Sequence, residues 1–314
     1  MICIALLISV GIILFFVLDK EESYSSEYKE SEREDIILHK GKEYEYNEHL
    51  SNYLFMGIDT RNPVTSYEVQ EDAGQADSIF LLSYNRVEKT IKCIAIPRDT
   101  LTRIQILSGD GSDMGVTTDH INLQYAFGDG KTKSCELMKD AVSNMMYGIP
   151  IQGYLSLNMD GIAVAVGTIG GIKLQVPDDT WTDMDSQYVK GTMIEITEEN
   201  AEQFIRYRDV NEGQSAIARM DRQKLFMEAF VTMAKEKVSE DAGFIAELFD
   251  ALEPYMVTNI GNDVLAKLLE SGYDEKSGMI DLPGQGVAGE KYDEYHIDEE
   301  QLYELMLQIF YKEI

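Results

Sequence analysis

The sequence predicts an α/β protein, a mixed β-sheet sandwiched between helices, behind an N-terminal membrane anchor. Three observations lead there. Short β-branched and aromatic runs recur between residues 53 and 96, longer stretches with helical spacing follow them, and an uncharged apolar stretch opens the chain. With 314 residues and 44% apolar content the chain can bury a sizeable core, which excludes disorder throughout.

Residues 2–18, ICIALLISVGIILFFVL, are uncharged, with Ser9 the one polar side chain. As a helix they would span about 25 Å, just enough to cross a bilayer with help from the flanks. A cleaved signal peptide is the competing reading. No small-x-small site follows, because the run passes directly into Asp19-Lys20-Glu21-Glu22, so an uncleaved anchor spanning 1–18 is expected. Residues 19–50 carry 11 acids against 5 bases without periodicity, and read as a solvated stalk before a globular part at 51–314.

Buried strands are predicted at Tyr53–Ile58, Ser78–Tyr84 and Ile91–Ile96, with polar 85–90 short enough to make the last two a hairpin. Helices follow at 132–147, 158–168, 198–207 and 216–238, with a strand at Gly171–Val176 between the second and third. Further helices are expected at 243–252, 261–270 and 298–312, and a short strand near 278–282. Leu302, Leu305, Ile309 and Phe310 recur at helical spacing as core, keeping the C-terminal region in the same globular unit.

The net charge of −29 repels nucleic acid and anionic surfaces, so any anion must be caught by a local cluster. One exists: Arg206, Arg208, Arg219 and Arg222, four of the 27 basic residues, lie within RYRDVNEGQSAIARMDRQ. Arg206 falls near the end of a helix that Thr197 can cap, and if the chain leaves that helix at Tyr207, Arg206 and Arg208 converge on one side. Arg219 and Gln223 share a face at i and i+4 near the start of the next helix, opposite a core stripe of Ile217, Phe226, Phe230 and Met233. Guanidinium groups grip phosphate through paired donors. Acids and arginines also stand where strands end, in Gly57-Ile58-Asp59-Thr60-Arg61 and Pro97-Arg98-Asp99-Thr100, the edge at which open α/β sheets tend to bind ligands. Spacing alone leaves Arg98 and Asp99 equally readable as a surface ion pair or a turn, and Asp77 as a turn residue.

Other chemistries lack parts. Cys3, Cys93 and Cys135 are unclustered and read as small buried hydrophobes, and four scattered histidines (39, 49, 120, 296) supply neither a zinc site nor a triad. The GKT of Gly130-Lys131-Thr132 lacks the earlier glycine of a phosphate loop. The Gly109-Asp110-Gly111 stretch lacks calcium-loop spacing, and Ile217 replaces the second glycine of a nucleophile elbow. No basic recognition helix is present, which argues against DNA binding.

Taken together, GIDTR at 57–61, Ala76-Asp77-Ser78, IPRDT at 96–100, HINLQYAFGDG at 120–130, Gly170-Gly171 and RYR…ARMDRQ at 206–223 resemble the LytR-CpsA-Psr family, in order, over residues 52 to about 235. The resemblance implies a membrane-anchored, extracytoplasmic phosphotransferase that moves a glycopolymer from a polyprenyl-pyrophosphate carrier onto peptidoglycan through a phosphodiester bond. It also implies an α-β-α fold with a lipid tunnel between sheet and helices. On the matching positions, Asp59 and Asp77 would hold Mg²⁺, Asp77 would activate the attacking sugar hydroxyl, and Arg98 would act with it. Arg61, Arg98, Arg206, Arg208, Arg219 and Gln223 would bind the pyrophosphate. His120 stands where the family usually has lysine before Ile-Asn, and Ala216 where it usually has an acid that orients the clamp arginine. The loop between Asp59 and Asp77, RNPVTSYEVQEDAGQA, is acidic and is expected at the rim of the site. Two other readings use the same residues: a module that binds polyprenyl-phosphate lipid or wall polymer without turnover, and a hydrolase that admits water in place of the acceptor sugar.

Overall fold

The computed structural model describes residues 36–66, 73–177, 179–207, 215–273, 279–289 and 291–314. The apolar run 2–18, most of the stalk and Arg208 lie outside the described residues. No helix among those described is long and apolar enough to cross a membrane. Residues 47–312 form one unit, which carries the sheet and every site residue below; residues 36–46 belong to a second. In the latter, β1 (Ile37–His39) and β2 (Lys42–Tyr46) form a hairpin whose turn residues Lys40 and Gly41 both adopt positive φ, as a two-residue hairpin turn requires.

The larger unit is built on β3 (Leu50–Ile58), β4 (Ala76–Asn85) and β5 (Thr90–Ile96), an antiparallel meander whose hairpin turn falls at 86–89, within the expected connection. A hairpin follows, β6 (Leu101–Leu107) with the largely exposed β7 (Asp113–His120), then α1 (Leu123–Ala126) and α2 (Thr132–Met145). β8 (Gly153–Asn158) then joins β3 in parallel. α3 (Met159–Ile169) starts at Asn158, whose side chain accepts from the Gly161 N–H at 3.0 Å, and stops at Gly170, left-handed at φ 84°. β9 (Ile172–Gln175) pairs with β10 (Met193–Ile196), and α4 (Ala201–Arg206) and α5 (Ser215–Glu240) follow. The tail adds α6 (Phe244–Leu252), β11 (Met256–Thr258), α7 (Asn262–Glu270), β12 (Gly272–Tyr273) and β13 (Met279–Asp281). It ends with the hairpin β14 (Gly284–Ala288) and β15 (Asp293–Ile297), then α8 (Glu299–Phe310).

The central sheet runs β11-β8-β3-β4-β5-β12, with β13 also pairing β5. It is mixed, as expected, because β8 is parallel to β3 and β12 and β13 are parallel to β5 while the remaining pairs are antiparallel. Period-two alternation sorts its faces. Leu54, Leu81 and Ile94 pair across one face with Met56, Ile79 and Ile96, all buried. Ser156 of β8 shares that face and meets the Tyr125 hydroxyl at 3.2 Å and the Cys135 thiol at 3.5 Å, which seats α1 and α2 there. The opposite face carries Phe80, Cys93 and Ala95 under Met220 of α5, with Phe55, Leu82, Met227 and Met279 only partly buried around them. Helices therefore cover both faces. Burial pushes the Cys93 and Cys135 thiols up to about 12, in keeping with inert core residues.

A second core joins α3 to α6 through the small β9–β10 sheet, around Trp181 and Phe204. Phe226, Phe230 and Met233 of α5 pack against it, as their stripe predicts. Leu302, Ile309 and Phe310 are buried on α8, and Asp298 caps that helix by accepting from the Gln301 N–H. Thr197 does not cap α4: residues 197–200 first make a turn, in which Asn200 Oδ1 accepts from the Thr197 N–H at 2.7 Å, and the helix begins at Ala201.

Candidate active site

Four strand ends meet at one edge of the central sheet. β3, β5 and β8 finish there, and antiparallel β4 begins there, which brings Asp59, Asp77, Pro97-Arg98-Asp99 and Asp160 together. The ladder between β3 and β4 pairs Gly57 with Ser78 and then Ile58 with Ala76, so Asp77 is the extra residue of a β-bulge. Bulges re-aim side chains out of the pleat. The Asp77 carboxylate, 11% exposed, accepts from Arg98 Nη1 on Oδ1 and from Arg219 Nη1 at 3.2 Å on Oδ2. Arg219 thus finds a carboxylate partner despite the alanine at 216.

Pro97 ends β5, and a turn closed by the Thr100 N–H on the Pro97 carbonyl at 3.0 Å lifts Arg98 and Asp99 out of the sheet. Arg98 Nε donates to Asp99 Oδ1 at 3.1 Å, so both the ion pair and the turn are present. They are not a surface feature, because the two side chains are 21% and 15% exposed and Arg98 also holds Asp77.

Gln75 fastens this arrangement. Its N–H donates to Asp59 Oδ1 at 2.6 Å and its carbonyl accepts from the Asp59 N–H at 3.1 Å. Its side-chain oxygen accepts from Asn122 Nδ2 at 2.8 Å and Arg98 Nη2 at 3.4 Å. The preceding Gly74 sits at φ 72°, where a Cβ would run into Thr60 and lie 2.8 Å from Asp59 Oδ1. Buried Asn122 also donates its N–H to the Arg98 carbonyl at 3.2 Å and accepts from the Ala76 N–H at 3.3 Å, splicing the arginine turn to the bulge. His120, two residues earlier, lies with Nδ1 3.7 Å from Asp119 Oδ1 and its ring edge-on to Tyr292. Partial desolvation pushes the Asp59 carboxyl above its ordinary value, and the neighbouring Asp77 charge adds to this against the opposing pull of the Gln75 N–H and Arg98.

A second charged cluster flanks the first. Arg61 donates through Nη1 to Asp160 Oδ1 at 3.2 Å and through Nη2 to Glu202 Oε1, and Arg206 Nη1 donates to the same Glu202 oxygen at 2.9 Å. The chain leaves α4 at Tyr207, with φ −49° and ψ 130°, the exit point expected from the sequence. α5 lies between the two clusters: Gln223, one turn after Arg219, makes a long 3.5 Å hydrogen bond to the Ile205 carbonyl beside Arg206.

A model of the LytR_cpsA_psr family matches residues 14–309. The chain belongs to this family. A Halalkalibacterium halodurans protein named polyisoprenyl-teichoic acid–peptidoglycan teichoic acid transferase TagU is 29% identical over 236 residues, covering 74% of this chain and 69% of its own length. The Bacillus anthracis protein of the same name is 27% identical over 235 residues, with coverage of 74% and 69%. Among solved structures, Bacillus subtilis TagV superposes with a TM-score of 0.63 at 23% identity, covering 83% of this chain and 97% of that one. TagT bound to LI-WTA superposes at 0.62 with 19% identity, covering 83% and 90%. The mixed α/β fold is that of these LytR-CpsA-Psr structures.

In this LytR-CpsA-Psr chain the residues expected to form one pyrophosphate clamp are divided: Arg98 and Arg219 converge on Asp77, while Arg61 and Arg206 converge on Glu202. Sequence patterns assign no role to Gln75, Asn122, Asp160 or Glu202, because their amides and carboxylates act through contacts between distant segments. Arg222, one of the clustered arginines, is structural. It is buried and donates through Nε to the Phe204 carbonyl at 2.7 Å and through Nη2 to the Tyr207 carbonyl, over both aromatic rings. Burial, then the charge of Arg219, lowers its pKa to about 10, which still leaves it charged at neutral pH. These bonds satisfy the carbonyls at the C-terminus of α4. Arg222→Ala is expected to lower folding stability by about 2–3 kcal/mol, the worth of charge-assisted hydrogen bonds left unmade, measured as a shift in the denaturant midpoint.

Proposed function

We propose that this chain is an extracytoplasmic, membrane-anchored phosphotransferase that moves a glycopolymer from a polyprenyl-pyrophosphate carrier to a peptidoglycan hydroxyl. The observation that carries the reading is the convergence of Arg98 and Arg219 on the bulge carboxylate Asp77, with Asp59 beside it at the ligand-binding edge of the sheet. Family membership and the names of the transferase relatives support it. Phosphoryl transfer needs positioning and charge neutralisation more than covalent help, and an arginine pair next to two acids supplies both.

In the reaction, the arriving pyrophosphate draws Arg98 and Arg219 from Asp77 onto its oxygens, which frees the carboxylate. The acceptor sugar hydroxyl attacks the phosphorus attached to the glycan, and Asp77 takes its proton. The new bond joins acceptor oxygen to that phosphorus, the bridging P–O bond breaks, and the carrier leaves as polyprenyl monophosphate. Arg61 and Arg206 hold the remaining phosphate oxygens, together with Arg208 and Gln223. The partly buried Phe55, Leu82, Met227 and Met279 offer an apolar wall for the isoprenoid tail.

Asp59 and Asp77 would hold Mg²⁺, which suits hard carboxylate oxygens and usually takes only one or two of them beside substrate phosphates. The raised Asp59 carboxyl fits this, since a cation in the site would offset the partial desolvation and the Asp77 charge that oppose its ionisation. When bound, the ion would neutralise charge developing on the phosphates. The sign of the shift makes a further prediction. A carboxyl raised in the folded state favours folding while protonated and loses that contribution as pH rises through its folded pKa. Asp59→Asn should therefore be more stable than the parent near neutrality, with the gap closing toward about pH 4, the ordinary carboxylate range. Added Mg²⁺ should raise the parent's melting temperature and leave that of Asp59→Asn unchanged.

The reading is tested by incubating the full chain with a polyprenyl-pyrophosphate-linked disaccharide, Mg²⁺ and a peptidoglycan acceptor, followed by mass spectrometry. A glycan phosphate joined to the acceptor, lost with chelator, supports the transferase. Lipid retained without product indicates a binding module, and free glycan phosphate without adduct indicates a hydrolase.

A further inference from the structure

Resting on that reading of Arg61 and Arg206 as headgroup ligands, we propose that Glu202 is a built-in competitor for the headgroup, a carboxylate that occupies the phosphate-facing donors of both arginines and sets how tightly the carrier is held. A single oxygen, Glu202 Oε1, accepts from Arg61 Nη2 and from Arg206 Nη1 at 2.9 Å. Asp160 Oδ1 takes Arg61 Nη1 at 3.2 Å, so both terminal nitrogens of Arg61 already hold carboxylates. The local charges cancel, two guanidinium groups against two carboxylates, so an incoming phosphate gains little attraction here until Glu202 is displaced. Two guanidinium groups meeting on one anionic oxygen also reproduce the way such groups would share a phosphate oxygen.

Displacement is easy. Arg61 and Arg206 are 50% and 49% exposed and Glu202 is 29% exposed. Ion pairs in that setting are weak and exchange with solvent or ligand at little cost. Glu202 is also one turn before Arg206 on the same helix, so it stays close after release and can reclaim the arginine once the lipid monophosphate must depart. A strong clamp would retain the product; a clamp opposed by its own carboxylate lets it go. Asp160 is the weaker opponent, because its second oxygen is committed to the Asn62 N–H at 2.9 Å and it touches only one of the two arginines.

The alternative role for Glu202, orienting the arginines for the ligand, makes the opposite prediction. Calorimetric titration of the full chain in detergent with inorganic pyrophosphate and with farnesyl pyrophosphate separates them. Glu202→Gln should bind both probes about three- to tenfold tighter, the effect of removing two weak ion pairs, while exposed Glu199→Gln, which removes the same charge three residues away, should leave both affinities near the parent's. Unchanged or weaker binding by Glu202→Gln overturns the competitor role while leaving the headgroup site standing, and equal tightening by Glu199→Gln overturns it by reducing the effect to net charge. If the parent binds neither probe, the headgroup reading itself fails and this inference falls with it.

Discussion

Arg98→Ala is expected to lower the single-turnover rate of glycan transfer about a thousandfold at saturating lipid, the usual loss when a preorganised donor to developing phosphoryl charge is removed. Asp99 and Gln75 also hold the guanidinium group, so it stays oriented when the phosphate draws it from Asp77. Arg98→Lys should recover little of the loss, because an ammonium is a point charge that cannot span these partners or grip two phosphate oxygens together. The melting temperature separates chemistry from structure. Asp77 keeps Arg219, and Gln75 keeps Asn122, in the alanine variant, so the fold should survive with a modest shift. A rate within tenfold of the parent's would remove Arg98 from the reaction.

The elements that the sequence announced are those with strong local periodicity. β3, β4 and β5 carry apolar runs, and α2, α3, α5 and α8 carry helical stripes; each was found within a few residues of its expected limits. β8 went unrecognised because GYLSLN alternates leucines with Ser156 and Asn158, polar residues that face the first helical layer and an N-cap rather than water. The β6–β7 hairpin was hidden for a different reason: its second strand, DMGVTTDH, is largely exposed and carries no apolar face to signal a strand. The candidate site divides in the same way. Asp59, Asp77, Arg98, Arg206 and Arg219 were legible as charged residues at strand and helix ends. Their partners were not. Whether Arg61 meets a phosphate or Glu202, and whether Asp77 stands in the ladder or on a bulge, depends on register between segments far apart in sequence, which a local pattern does not encode.

Asp77→Asn should separate binding from turnover more sharply than any other change. Loss of the acceptor for the sugar proton costs about 10²- to 10⁴-fold in rate, and loss of one of two carboxylates beside the phosphates would add to it. Affinity for inorganic pyrophosphate should hold or rise, since Arg98 and Arg219 no longer have the Asp77 carboxylate to leave. The amide keeps one oxygen for hydrogen bonding but leaves Arg219, 7% exposed, without that counter-charge, so the variant should be less stable by about 1–3 kcal/mol in the absence of ligand. Pyrophosphate should restore much of that stability, because it supplies the missing negative charge at the same two guanidinium groups. Thermal melts with and without inorganic pyrophosphate, set beside single-turnover rates, therefore read both halves of the role. A variant that loses turnover and pyrophosphate binding together would mean that Asp77 positions the arginines for the ligand instead of exchanging them with it, and the proton would then need another acceptor.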